Sequence, residues 1–116
     1  MRKQKKDGFS SRSMSLITLL YLLYLIGNNE KSASHQYLCD SLCMSYPTLH
    51  RNLRLLREAF AVDVRSKRMP DNSTHFYIND WGIFTKEQFL SCFEDSLLNT
   101  ASDLIGQKAS EKLASH

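Results

Sequence analysis

The sequence predicts a mainly α protein carrying one small β-hairpin, an α+β class. Two observations carry this. Apolar residues recur at helical spacing in four separate stretches. Two short alternating runs, VDVRSKR (62–68) and HFYI (75–78), flank the loop MPDNST. At 116 residues, 42% apolar and 23% charged, the chain has the size and composition of a single folded unit with a modest core.

Residues 1–12 hold five Lys or Arg against one Asp and few apolar side chains, so they are expected to form a disordered basic arm. A first helix is expected over residues 13–26, with Gly27-Asn28 as its left-handed stop. It is apolar nearly all round, more than a one-sided surface helix needs. Its opening imitates a secretion signal, with a basic start, an apolar run from Leu16 to Ile26, and small residues at Ser32, Ala33 and Ser34. The run falls short of the roughly 20 apolar residues a membrane-crossing helix requires. Glu30, Lys31 and the basic segment downstream also argue against export, so a cytoplasmic protein with no membrane association is expected.

A second helix fits residues 34–42, capped by Ser32 or Ser34, with Tyr37, Leu38 and Leu42 turned inward. A third helix follows almost at once in MSYPTLHRNLRLLREAF (44–60). Ser45 is its natural N-cap, and Pro47 sits in the first turn, where a missing N–H costs no helical hydrogen bond. At 100° per residue, Leu53, Leu56 and Phe60 fall within about 40° of Leu49 and make a core stripe. Pro47, His50, Arg51 and Arg54 take the opposite side, with Tyr46 at its edge. The hairpin comes next and is closed by Asp80-Trp81-Gly82. A last helix is expected after Thr85, with Thr85 and Gln88 as a capping box. Phe89, Phe93, Leu97, Ala101 and Leu104 form its apolar stripe, and fraying is expected beyond Gly106. The organisation is therefore an arm (1–12), a main domain (13–84) and a C-terminal helix with its tail (85–116).

Net charge is only +3, but its distribution is uneven. Residues 44–78 carry six basic side chains against three acids, and residues 79–116 carry three against six. One surface suits a polyanion and another is kept away from it. Three cysteines, Cys39, Cys43 and Cys92, lack the spacing of a disulfide framework and read as free thiols. His35, Cys39 and Cys43 fall at i, i+4 and i+8, a spacing able to hold zinc if a fourth ligand such as His75 joined them. Cysteine more often acts as a small buried hydrophobe, so no metal or cofactor is expected.

Helix, helix, tight turn, basic helix, basic hairpin is the element order of a winged helix-turn-helix. The stretch CDSLCMSYPTLHRNLRLLREAF (39–60) resembles the helix-turn-helix of DeoR-type regulators and of the domain that precedes WYL domains. Leu42, Met44, Ser45, Thr48, Leu49, Arg51, Leu53 and Leu56 fall in step with that pattern. His50 stands where tyrosine is usual, Asn52 where aspartate is usual, and Cys43 where glycine is common. The likeness covers residues 14–80 and stops before any effector-binding domain.

The resemblance implies double-stranded DNA as the partner, contacted by Ser45, Tyr46, Pro47, Thr48, His50, Arg51 and Arg54 of a helix in the major groove. Tyr46 and Pro47 stand at the base-reading positions, with Ser45 or Thr48 on phosphate. Arg51 and Arg54 offer planar two-pronged donors that suit guanine O6/N7 or a phosphate. Arg65, Lys67 and Arg68 on the hairpin are expected on the backbone or in the adjacent minor groove, and Arg2, Lys3, Lys5 and Lys6 add a weaker flexible contact. Charge runs usually only solvate a surface; position within the frame favours contact for the third helix. The apolar excess of the first and last helices points to a homodimer through them, placing two reading helices on a two-fold site. No small-molecule ligand is expected. The function expected is a sequence-specific transcriptional regulator, a repressor acting by occupancy. The alternative is a winged-helix adaptor that binds proteins. A non-specific nucleoid or RNA-binding role fits the small net charge less well. No Gly-rich phosphate loop, zinc-protease helix, nucleophile elbow or carboxylate pair suggests an enzyme.

Overall fold

In the computed structural model, residues 16–28 and 33–114 are described. Helix α1 covers residues 16–28, and is followed by α2 (His35–Leu42), α3 (Tyr46–Phe60), strands β1 (Asp63–Arg68) and β2 (Thr74–Asp80), α4 (Lys86–Ser96) and α5 (Leu98–Ala114). The described residues are thus mainly helical with one two-stranded antiparallel sheet. The basic arm and residues 13–15 lie outside them.

The core explains why α1 is apolar on nearly every side. Leu22, Leu23 and Ile26 are fully buried, and Leu19, Tyr24 and Leu25 nearly so. They join one cluster with Leu38 and Leu42 of α2, Leu49 and Leu56 of α3, Val62, Phe76 of β2, and Phe89 and Phe93 of α4. Phe93 stacks on Tyr24 at 4.9 Å and on Tyr21 at 5.9 Å between ring centroids. Much of the apolar area of α1 is therefore covered within the chain, α4 packing on Tyr21 and Tyr24, while Leu16 stays exposed.

The expected end of α1 is corrected. The helix runs on through Gly27 and Asn28 instead of stopping there. Glycine serves here as a point of close approach: a Cβ at position 27 would lie 2.8 Å from Cζ2 of Trp81 and closer still to Cη2. Gly82 does adopt a positive φ, 61°, and a Cβ there would strike the carbonyl of Phe60.

Local signals set α2 and α3 as expected. Ser34 caps α2, its Oγ accepting from the Tyr37 N–H at 3.0 Å. Cys43 ends it at φ 53° and ψ 49°, so a residue with a Cβ occupies the left-handed region where glycine is favoured. Ser45 caps α3, accepting from the Thr48 N–H at 3.4 Å and donating to Thr48 Oγ1 at 3.0 Å. Ala61 closes α3, again left-handed, and the Val62 N–H reaches the Leu56 carbonyl at 3.3 Å.

In the hairpin Val64 pairs with Ile78, Arg65 with Tyr77, Ser66 with Phe76, and Lys67 with His75, with an irregularity between Asp63 and Val64. The free edge of β2 meets the chain just before α2: the Phe76 N–H donates to the Ala33 carbonyl at 2.8 Å, and Ser34 bridges His75. The start of α2 is thereby tied to the hairpin.

The last helix differs from expectation in two ways. Thr85 has an extended backbone, but its side chain makes no capping bond, so the Thr85–Gln88 box does not form. The helix also breaks at Leu97 (φ −117°, ψ −17°) into α4 and α5, and α5 continues past Gly106 to Ala114. Phe89, Phe93 and Ala101 are buried as the stripe requires. No helix among the described residues is long and apolar enough to cross a membrane.

Candidate nucleic-acid interface

Helix α3 has two faces because its leucines are spaced to bury one of them. Leu49 and Leu56 are fully buried, and Leu53 and Phe60 pack against the same cluster. On the far side Ser45, Tyr46, Pro47, His50, Arg51 and Arg54 are exposed, and Thr48 is half-buried. Ser45 and Thr48 already spend their hydroxyls on the helix cap and on each other. Asn52 turns back, donating to the Thr48 carbonyl at 3.0 Å. The side chains left open to a ligand are therefore Tyr46, Pro47, His50, Arg51 and Arg54.

Tyr46 does not stand alone. Its ring lies 4.0 Å from that of His35 and 4.3 Å from that of His50, and His50 in turn meets Phe76 edge-on at 6.1 Å. This row of rings links α2, α3 and β2 and orients the opening of α3. His35 entered the sequence reading only as a possible metal ligand, since its approach to Tyr46 depends on how α2 crosses α3. Among the described residues no group of three or more His, Cys, Asp or Glu is placed to hold a metal ion. Cys43 is occupied as the helix cap, and burial pushes the Cys39 thiol up, toward its protonated form. The Nδ1 of His75 is buried without a hydrogen-bond partner.

The three hairpin cations are all exposed, but strand alternation separates them. Val64, Ser66, Phe76 and Ile78 share one face of the ribbon, and Arg65 and Lys67 share the other with Tyr77 and His75. Arg65 Nε donates to Asp63 Oδ2 at 2.9 Å, and Asn79 Nδ2 donates to the same oxygen at 3.0 Å. The bonds from Asn79 and then Arg65 hold the Asp63 carboxyl below the usual carboxylate range. Arg68 Nη1 donates to Asn72 Oδ1 at 3.1 Å, across the tip loop. Lys67 is the hairpin cation left with the most freedom among the described residues.

Between α3 and the hairpin lies a groove of about 350 Å³. Leu53, Val64 and Phe76 make its apolar part. His50, Arg54, Arg57 and Ser66 bring polar atoms to it, and Asp63 stands at one wall. Arg57 and Ser66 were missed as site residues. The signal for Arg57 was present, since His50, Arg54 and Arg57 sit at i, i+4 and i+7 on one helix flank, about 80–140° from Leu49. Ser66 carried no such signal, because alternation alone does not say which face of a hairpin meets a helix.

Comparison of the chain with protein-family models, with curated proteins and with solved structures found no match.

Proposed function

We propose that the chain is a sequence-specific double-stranded DNA-binding protein of winged helix-turn-helix architecture. In this reading α3 enters the major groove and the β1–β2 hairpin is the wing. The observation that carries it is the sorting of α3, with Leu49 and Leu56 fully buried and Tyr46, Pro47, His50, Arg51 and Arg54 exposed together. An α-helix fits the major groove of B-DNA, and these side chain types can donate to guanine, contact a thymine methyl or pair with phosphate. The bonding of Ala33 and Ser34 to β2 supports the same reading, since it fixes the hairpin beside the helix pair.

Such a protein acts as a transcriptional regulator, a repressor where its site overlaps a promoter. Dimerisation belongs to the proposal, through the first and last helices; most apolar side chains of α1 lie inside the chain, but Leu16 at its start stays exposed. Selection from random duplex DNA tests the function, run with the wild type and with Arg51→Ala plus Arg54→Ala. A motif enriched by the wild type and lost by the double variant is expected, and two-fold symmetry in that motif would report two copies. Folded protein that enriches no motif would end this reading in favour of a protein-binding adaptor.

A further inference from the structure

We infer that the groove between α3 and the hairpin is a phosphate site, in which Arg54, Arg57 and the Ser66 hydroxyl hold one phosphodiester of the DNA backbone. This rests on the DNA-binding reading above. It adds a ligand group, a location and two residues outside the base-reading face.

The charge arrangement is the first ground. Arg54 and Arg57 are neighbours on the helix surface, where like charges three or four residues apart repel. Among the described residues neither Arg54 nor Arg57 forms an ion pair, so neither is neutralised by a contact. The only carboxylate at the groove is Asp63, and its Oδ2 is already taken by Arg65 and Asn79. Arg57 acts on Asp63 through its charge without pairing with it. One bridging anion would relieve the repulsion between the guanidiniums, and each guanidinium can offer a phosphate two parallel donors.

The lining is the second ground. Leu53, Val64 and Phe76 form a low-polarity floor, which strengthens charge interactions above it relative to open water. Ser66 places a hydroxyl on the hairpin wall opposite the arginines, since it shares the inward face with Val64 and Phe76. The third ground is position. The groove lies between the two elements proposed to engage the duplex, where a backbone contact sets the register of the helix without reading a base.

Arg57 also lies in the last turn of α3, where a cation is favoured by the helix dipole, so its test needs a readout that stability does not move. That readout is the salt dependence of DNA binding, measured by fluorescence anisotropy between about 0.05 and 0.2 M salt. Losing one phosphate contact should make the log–log slope shallower by about 0.9, which is about eightfold in affinity at 0.1 M if the lines converge near 1 M. Arg57→Gln should show that loss equally on a selected duplex and on an unrelated one; Arg57→Lys should retain the slope. Ser66→Ala should weaken both duplexes alike. An unchanged slope in Arg57→Gln, with the wild type binding normally, would overturn the phosphate site and leave the DNA reading standing. Wild-type protein that binds no duplex would instead remove the DNA reading itself. A second arm separates the sources of phosphate, following the arginine Nε signals by NMR as inorganic phosphate is added at constant ionic strength. Weak, unsaturated shifts are expected. Saturation below millimolar phosphate would assign the groove to a free phosphorylated ligand and overturn the backbone assignment.

Discussion

The Tyr24 hydroxyl donates to Glu94 Oε2 at 2.7 Å, joining α1 to α4 across the same seam where Phe93 stacks on the Tyr24 ring. The ring is almost wholly buried, while the carboxylate that accepts its hydrogen bond is exposed. The seam therefore combines aromatic packing with one directional bond, and it brings the C-terminal helices into the core.

Tyr24→Phe keeps the packing and removes the bond, so it should cost about 1 kcal/mol in urea denaturation near neutral pH. Burial, with Glu94 second, pushes the Tyr24 hydroxyl from its ordinary 10.0 up to about 12. The folded state then holds this proton more tightly than the unfolded state does. The stabilisation is complete below pH 10 and is lost as pH rises toward about 12. The wild type should accordingly lose its advantage over Tyr24→Phe across that window. A constant gap between the two would show that the bond does not govern the hydroxyl.

Gly27 and Gly106 should respond oppositely to alanine. At Gly27 the new Cβ meets the Trp81 ring, and overpacking of this kind costs about 1–3 kcal/mol against a propensity gain of at most about 1. Net destabilisation is expected. Trp81 is the sole tryptophan, so a shift in its emission should accompany the change. At Gly106 nothing lies within 4 Å, and Gly106→Ala should stabilise α5 by about 0.5–1 kcal/mol, visible as added helical circular dichroism.

Cys43→Gly should raise stability. Cys43 holds φ 53°, a region that costs a side chain-bearing residue about 1–2 kcal/mol and glycine almost nothing. The greater freedom of glycine in the unfolded chain offsets part of the gain, leaving about 0.5–1 kcal/mol. Cys43→Val should go the other way, since branching at Cβ tightens the same clash. If both variants lowered the melting temperature equally, the thiol's own contacts would outweigh the backbone term.

At the proposed interface, Asp63→Asn should strengthen DNA binding. The substitution removes a negative charge from the groove wall and weakens the charge-assisted bond that holds Arg65. A steeper salt slope, by about 0.9, is expected from one more cation available to the backbone. Little should change in folding stability, because Arg65 is exposed and its pair with the half-buried Asp63 is screened by solvent. Anisotropy titration at several salt concentrations decides this, and weaker binding by Asp63→Asn would mean that the Asp63 carboxylate positions Arg65 instead of restraining it.

What the sequence by itself determined is most of what neighbours along the chain govern, the unformed Thr85–Gln88 box excepted. Ser45 is a cap because a hydroxyl there meets an N–H three residues on, and the same rule narrows the cap of α2 to Ser32 or Ser34, of which Ser34 takes it. Pro47 suits a first turn for an equally local reason. The two faces of α3 and the two faces of the hairpin follow from periods of 3.6 and 2, which need no third dimension.

What only the tertiary structure decided depends on residues far apart. Gly27 turned out to lie within α1, where its bare surface admits the close approach of Trp81 from beyond the hairpin. His35 met Tyr46, and Ser66 came to line one groove with Arg54 and Arg57, only once α2 and the hairpin had docked on α3. Periodicity says which side chains share a face; packing alone says what that face meets, because burial free energy depends on the area two elements cover together.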